Sequence, residues 1–315
     1  MQSGKKTHET LFDLFIIGGG PASLTAAIYA TRACLKTAFI EKEYPGGKLN
    51  KTQSIENYPG YLENLGPDLA EKMLKQALDN EVQQFWGEVI DLKKEGGEWR
   101  VYSENKVYRS KTVLIASGMK ERVLDIPNVK EYYGKGVSYC AICDGNLYKG
   151  KNVVVVGGGN SAVEEAIYLS DITSKVNLVH RRNEFRADAV SVKKMKSINN
   201  IIVNTPYIPT EVKVENEVVR GLIIKGENEK LIEGDCVFFY VGLIPESSFL
   251  SSLNLERDEG GFIKVNENMR TSEEGLYAAG DIISKGLRQV VTAISDGATA
   301  AIAIKNYLNS LDEPN

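Results

Sequence analysis

A chain of 315 residues with a formal net charge of −4 is long enough for two domains and has no basic run that would hold nucleic acid. Hydrophobic residues make up 43% and charged residues 25%, a globular balance. No 18-residue apolar stretch is present to cross a membrane. The four cysteines, Cys34, Cys140, Cys143 and Cys236, are too few for a secreted disulfide scaffold, so a cytoplasmic protein is expected.

The first apolar run, in LFIIGGGPASLTAAIYATRACLKTAFIEK (14–42), is short and ends in glycines rather than in a small-residue cleavage site. It therefore reads as a strand and not as a signal peptide. Three glycines follow, then an Ala-rich helical stretch, then a second strand ending at Glu41. The segment VVVVGGGNSAVEEAIYLSDITSKVNLVHRR (153–182) repeats the whole layout. Two glycine turns in one strand–turn–helix–strand context point to two dinucleotide sites. Gly18 and Gly157 permit the tight turn, and Gly20 and Gly159 let the backbone approach a pyrophosphate. The following helix aims its free N–H groups at the phosphate charge. The third small position is Ser23 in one copy and Ala162 in the other.

The ends of the second strands separate the two ligands. Glu41 lies 23 positions after Gly18, and His180 lies 23 after Gly157. An acid there accepts hydrogen bonds from a ribose diol and repels a 2′-phosphate. The second copy carries His180, Arg181 and Arg182, with Arg186 beyond, a cluster that can neutralise a 2′-phosphate. The first site is expected to take FAD and the second NADPH, because a flavin can pass electrons from a hydride donor to a disulfide.

Further along, EYPGGKLN (43–50) reads as a Gly-rich loop and KTVLIASG (111–118) as a strand leaving the first domain. YCAICDG (139–145) places Cys140 and Cys143 two residues apart, just before the second repeat. Zinc is not expected: no second Cys-x-x-Cys exists, and His8 and His180 are the only histidines. A redox pair is the better reading. Asp144 is either its proton donor or a turn-former before Gly145. GLYAAGDII (275–283) reads as a strand whose Asp281 is either a ligand contact or a helix N-cap. Residues 288–309 read as a helix, and alternating segments at 89–115 and about 210–241 as antiparallel hairpins over each sheet. Cys34 and Cys236 read as buried packing residues. The expected fold is α/β, with two Rossmann-like dinucleotide-binding domains in three β/β/α layers. Residues 1–118 and 247–315 form the first domain, and 119–246 form the inserted second. Gly118, the Gly134–Gly136 turn and the 242–247 stretch are candidate crossings.

Taken together, GGGPAS, CAICDG, GGGNSAVEEA, HRRNEFRA, AAGD and RQVVTA resemble the low-molecular-weight, bacterial-type thioredoxin reductases over essentially the whole chain. The family usually has glycine at Ser23, glutamine at Lys48 and threonine at Ile142. The resemblance implies a homodimer whose domains rotate to serve flavin and thioredoxin in turn. It implies FAD contacts from Gly18, Gly20, Pro21, Ala22, Glu41, Gly47, Lys48, Leu49, Asn57, Ala116, Gly118, Gly280, Asp281, Arg288, Gln289 and Val290. NADPH contacts would come from Gly157, Gly159, Asn160, Ser161, His180, Arg181, Arg182 and Arg186. Cys143 would lie nearer the flavin, Cys140 would attack thioredoxin, and Asp144 would supply the proton. A ferredoxin-NADP reductase would lack the cysteine pair, and a ferredoxin- or flavin-fed reductase the basic cluster. A non-catalytic redox sensor would bind FAD without turning over NADPH.

Overall fold

The computed structural model describes residues 6–52, 55, 57–62 and 65–312. In chain order the elements begin β1 (Lys6–Ile17), α1 (Pro21–Arg32), β2 (Thr37–Glu41), α2 (Gly66–Asp79), β3 (Gln83–Trp86), β4 (Val89–Glu95), β5 (Glu98–Ser103), β6 (Lys106–Ile115) and β7 (Met119–Glu121). Next come β8 (Val137–Ser138), α3 (Ala141–Asp144), β9 (Asn152–Gly157), α4 (Asn160–Ile172), β10 (Lys175–Val179), α5 (Ala189–Lys196), β11 (Ile201–Asn204), β12 (Ile208–Glu215), β13 (Val218–Lys225) and β14 (Glu229–Glu233). The chain closes with β15 (Cys236–Tyr240), β16 (Leu243–Pro245), β17 (Leu276–Ala278) and α6 (Val290–Asp312). Two compact units result, one running to Lys120 and resuming at Ile244, the other spanning Glu121–Leu243. The chain crosses slightly later than Gly118 and slightly earlier than residue 247, and the Gly134–Gly136 turn lies inside the second unit.

In the first unit the sheet order is β3-β2-β1-β6-β5-β4, with β17 also pairing β6. The β3-β2-β1-β6 part and the β17 pairing are parallel, whereas β5 and β4 run antiparallel. From Leu14 to Ile17, β1 is apolar on both faces because both are covered. Leu14 and Ile16 join the core under the helices with Leu24, Ala27, Ala70 and Ile304. Phe12, Phe15 and Ile17 join the opposite core with Leu92, Trp99 and Phe249. Small residues let α1 and α6 approach closely: a Cβ on Gly297 would stand 2.2 Å from the Ala22 carbonyl oxygen.

The second unit repeats this scheme on a smaller scale. Its parallel sheet has the order β11-β10-β9-β15-β8. Helix α4 covers one face with Ala162, Val163, Ala166 and Leu169. The antiparallel sheet β12-β13-β14 covers the other with Val212, Leu222 and Ile224. The second unit is thus a Rossmann-like helix–sheet–sheet sandwich inserted into the first, and in the first the one sheet continues into antiparallel β5 and β4, whose Leu92 and Trp99 pack on its far core. One packing expectation is corrected. Cys34 is exposed, because it follows the end of α1 in a left-handed turn with φ 61° that carries its side chain off the core. Cys236 is buried at the start of β15. Among the described residues no helix is long and apolar enough to cross a membrane.

Candidate active site

The two glycine turns are equivalent position by position. A Cβ on Gly18 would meet the Ala116 carbonyl oxygen at 2.4 Å, and one on Gly157 would meet the Tyr240 oxygen at 2.5 Å. Both have positive φ, so these first glycines are required by the fold itself. The middle glycines lie against the ends of the second strands: Gly19 against Glu41, and Gly158 against the His180 ring. The third glycines differ. A Cβ on Gly20 or Gly159 would meet nothing within 4 Å. No protein atom forbids a side chain there, and the open space lies at the N-terminus of α1 or α4, a place suited to an anion. Ser23 is fully buried, and its hydroxyl donates to the Gly18 carbonyl, so this polar small residue closes the first turn.

Around the first turn, the Glu41 carboxylate accepts N–H bonds from Gly19 at 2.7 Å, Lys42 at 2.7 Å and Glu43 at 3.0 Å. A carboxylate has about four lone-pair positions, so capacity remains for a ribose hydroxyl. A narrow cleft beside Glu41 is lined by Gly18, Gly87, Glu88 and Ser117. The Gly46 N–H donates to the Gly19 carbonyl at 2.8 Å, seating Gly47, Lys48 and buried Leu49 against the turn. Pro21 opens α1, and Gly280 packs on Ala22. The Gly280 N–H and the Lys285 ammonium both donate to Asp296, at 3.0 and 2.7 Å. Asp281 is not a helix N-cap. It sits in a 3₁₀ turn, and its Oδ1 is buried without a hydrogen-bond partner. Burial raises its pKa, opposed by Lys285, Arg288 and Lys48. Arg288 donates to the Asp281 and Ile283 carbonyls, and Asn57 donates to Gln289 at 3.0 Å, just ahead of Val290. Gly118, with positive φ, lies inside the unit two residues before its first segment ends, and its carbonyl accepts from the Glu246 N–H.

In the second unit the arginine loop is tied to the glycine turn by its backbone. Arg186 N–H donates to the Gly158 carbonyl at 2.7 Å, and Asp188 N–H donates to the Asn160 side chain at 2.9 Å. Arg181, Arg182 and Arg186 are exposed, as is Ser161 at the start of α4. His180 does not join them. Its ring is buried against Gly158, stacked on Phe185 with centroids 5.2 Å apart, and its Nε2 meets the Glu184 carbonyl at 3.1 Å. Burial lowers its pKa, and the three arginines act in the same direction, so the neutral ring adds no charge to the cluster.

Cys140 and Cys143 form a disulfide across the one-turn helix α3. Cys143 is exposed, and its N–H donates to Cys140 Sγ at 3.2 Å. Buried Ser138 organises this turn. Its Oγ donates to Asp144 Oδ2 at 2.6 Å and accepts the Cys140 N–H at 3.0 Å. Gly145 continues in right-handed helical geometry, so Asp144 is not the turn-former of an Asp-Gly loop. The Tyr240 hydroxyl accepts the Ala141 N–H at 2.9 Å, while the Tyr240 carbonyl packs over Gly157. One residue therefore holds the cysteine turn and the second glycine turn in one unit. On α4, Glu165 has a buried oxygen without a hydrogen-bond partner, and burial with Glu164 beside it raises its pKa to about 8. Burial pushes the Cys236 thiol up to about 12, so it stays protonated.

A family model for pyridine nucleotide-disulphide oxidoreductases matches residues 12–297. The thioredoxin reductase of Mycoplasma pneumoniae is 42% identical over 304 residues, covering 95% of this chain and 96% of that protein. The thioredoxin reductase of Bacillus subtilis is 41% identical over 314 residues, covering 98% of each. The chain belongs to the thioredoxin reductase family. A crystal structure of the Lactococcus lactis thioredoxin reductase matches with a TM-score of 0.91 at 36% identity, covering 95% of this chain and 99% of that one. In this thioredoxin reductase family member, sequence reasoning missed Ser138, Tyr240, Glu165, Lys285 and Asp296. Ser138 could have been suspected from its place two residues before Cys140. Tyr240, Lys285 and Asp296 act through contacts that no local motif announces, and Glu165 is marked only by its burial.

Proposed function

We propose that this chain is a thioredoxin-disulfide reductase, carrying electrons from NADPH by way of FAD to the Cys140–Cys143 disulfide and on to thioredoxin. The observation that carries the reading is the attachment of a redox disulfide, through Tyr240, to a nucleotide-type glycine turn edged by three exposed arginines. FAD suits the first turn, where Gly18, Gly20, Pro21, Ala22, Glu41, Gly47, Lys48, Leu49 and Ala116 converge with Gly280 and Asp281. When bound, it would supply the two-electron relay between a hydride donor and a disulfide. Asn57, Gln289 and Val290 complete that site, and Arg288 shapes its 281–283 edge. NADPH suits the second turn, with Gly157, Gly159, Asn160 and Ser161 at the pyrophosphate. Arg181, Arg182 and Arg186 would meet the 2′-phosphate, which a ribose-only cofactor would not need.

The chain's own groups then account for the sulfur chemistry. Once the disulfide is reduced, the Cys143 N–H aimed at Cys140 Sγ favours a thiolate on Cys140. That thiolate attacks one sulfur of the thioredoxin disulfide, forming a mixed disulfide as the other sulfur leaves and takes a proton. Cys143 then attacks the mixed disulfide at Cys140, releasing the second thioredoxin thiol and restoring the Cys140–Cys143 bond. Asp144, held by Ser138, is placed to move a proton at Cys143. The functional unit is a homodimer in the cytoplasm, a compartment in which Cys34 and Cys236 persist as free thiols. Stopped-flow mixing of the FAD-loaded protein with NADPH and thioredoxin tests the reading. Flavin bleaching followed by repeated thioredoxin thiol production is expected. Cys143→Ser should keep the bleaching and abolish thiol production. Bleaching without thiol production in the parent protein would assign the electrons to another acceptor.

A further inference from the structure

The turn formed by residues 140–144 is tied to the parallel sheet of the second unit from two sides. Ser138, on β8, holds it locally through Asp144 and the Cys140 N–H. The other tie is long-range. At the C-terminal end of β15 the Tyr240 hydroxyl accepts the Ala141 N–H at 2.9 Å, across 99 positions of chain. Ala141 is fully buried, so its N–H needs that partner. Burial raises the Tyr240 pKa, and Glu165 on α4, Cys236 on β15 and Asp144 on α3 act in the same direction, against the Ala141 hydrogen bond. The group that meets Ala141 is therefore a neutral hydroxyl.

What this tie protects is the hydrogen bond to sulfur. Cys140 caps α3, and its Sγ accepts the Cys143 N–H at 3.2 Å. In the oxidised chain the disulfide itself keeps the two residues in register. Reduction removes that covalent link. The Cys143 N–H can then stabilise a Cys140 thiolate only if residues 141–143 stay in place. Helix α3 is a single turn, too short to persist on its own propensity. The Tyr240–Ala141 bond does not involve either sulfur, so it is available in both redox states.

We infer that Tyr240 is a positioning residue for the nucleophile: through Ala141 it keeps the cysteine turn closed after reduction, so that the Cys143 N–H stays on the Cys140 sulfur. The inference rests on the reductase reading for its consequence, but the acidity of the sulfur can be measured without turnover or thioredoxin. The FAD-loaded full chain carrying Cys143→Ser keeps that N–H and leaves Cys140 as the one thiol of the turn. The pH dependence of its alkylation by iodoacetamide gives its pKa. Mass spectrometry of the Cys140 peptide separates it from the exposed Cys34. Adding Tyr240→Phe should raise the pKa by about half to one pH unit, the worth of one hydrogen bond. Ala141→Pro removes the same bond from the donor side. Position 141 opens the helix, and Cys140 already has the extended backbone that precedes a proline. This variant should raise the pKa by a similar amount, and the two changes together no further than either alone. An unchanged pKa in Tyr240→Phe overturns the inference even if the melting temperature falls, because a bond that only stabilises the fold would leave the sulfur alone. Additive shifts overturn it as well, since the two changes would then act by separate routes. The expected shifts in a chain that fails to reduce thioredoxin would uphold the role of Tyr240 and refute the reading of the acceptor.

Discussion

Replacing Glu165 by glutamine should stabilise the protein, and increasingly so as pH rises. Glu165 sits on α4 with a buried oxygen that no donor satisfies, and burial lifts its pKa from an ordinary 4.5 to about 8. Below pH 4.5 both folded and unfolded chains hold the proton, so the group has no effect. Between 4.5 and 8 the unfolded chain loses the proton while the folded chain keeps it, and stability falls with pH. Each pH unit in that window is worth about 1.4 kcal/mol, which gives about 3 kcal/mol at pH 7 and under about 1 kcal/mol at pH 5. Above pH 8 both states are ionised and the loss levels off near 5 kcal/mol. Glutamine copies the shape of the protonated acid and cannot ionise. Its extra N–H donors give back about 1 kcal/mol. At about 2–4 °C per kcal/mol, the melting temperature of Glu165→Gln should exceed that of the parent by about 5 °C at pH 7. The gap should nearly close at pH 5. Thermal unfolding followed by circular dichroism across pH 5 to 8.5 reads this directly. A constant gap over that range would mean that the carboxyl is not desolvated and would refute the reasoning.

The two glycines of the first turn should separate fold from ligand. Gly20→Ala places its methyl in open space, so the protein should melt normally while FAD affinity, read by flavin fluorescence, drops about tenfold or more. Gly18→Ala forces a contact with the Ala116 carbonyl and should lower the folded yield itself. Normal FAD retention in Gly20→Ala would refute the pyrophosphate assignment. Arg181→Ala with Arg182→Ala should raise the KM for NADPH by about 10–100-fold and leave that for NADH unchanged, on the scale of charge-assisted hydrogen bonds. An unchanged preference would mean that other groups read the 2′-phosphate. Asp144→Asn should slow dithiol formation in single turnover by about 10²-fold or more without altering flavin reduction. Ser138→Ala should do the same more weakly, because it only positions the carboxylate. No effect from Asp144→Asn would remove it from the proton path.

The site was legible where its chemistry is written at short range. Each glycine turn lies between its own strand and helix, and the two cysteines share one helical turn, so spacing alone identified them. His180 shows the limit of register. It occupies the place of Glu41 in the repeat, as expected, but its ring packs inward on Gly158 instead of joining the arginines. The difference is physical: a carboxylate at that place is satisfied by backbone N–H groups, whereas an imidazole in apolar surroundings packs and stays neutral. Cys34 shows another limit. Apolar neighbours suggested burial, but a left-handed turn after α1 faces it outward.

Composition, the internal repeat and the cysteine spacing by themselves determined the two-unit α/β architecture, the pair of glycine turns and the redox centre. Those features depend on local backbone geometry and on the period of apolar residues, which neighbouring positions encode. Only the tertiary structure brought Tyr240 to Ala141 across 99 positions of chain, or closed the Lys285–Asp296 pair beneath Gly280. It alone left Glu165 and Tyr277 with buried, unpartnered oxygens. Such contacts depend on how separate strands and helices stack, and burial of a polar group is a property of everything packed around it rather than of its neighbours in sequence.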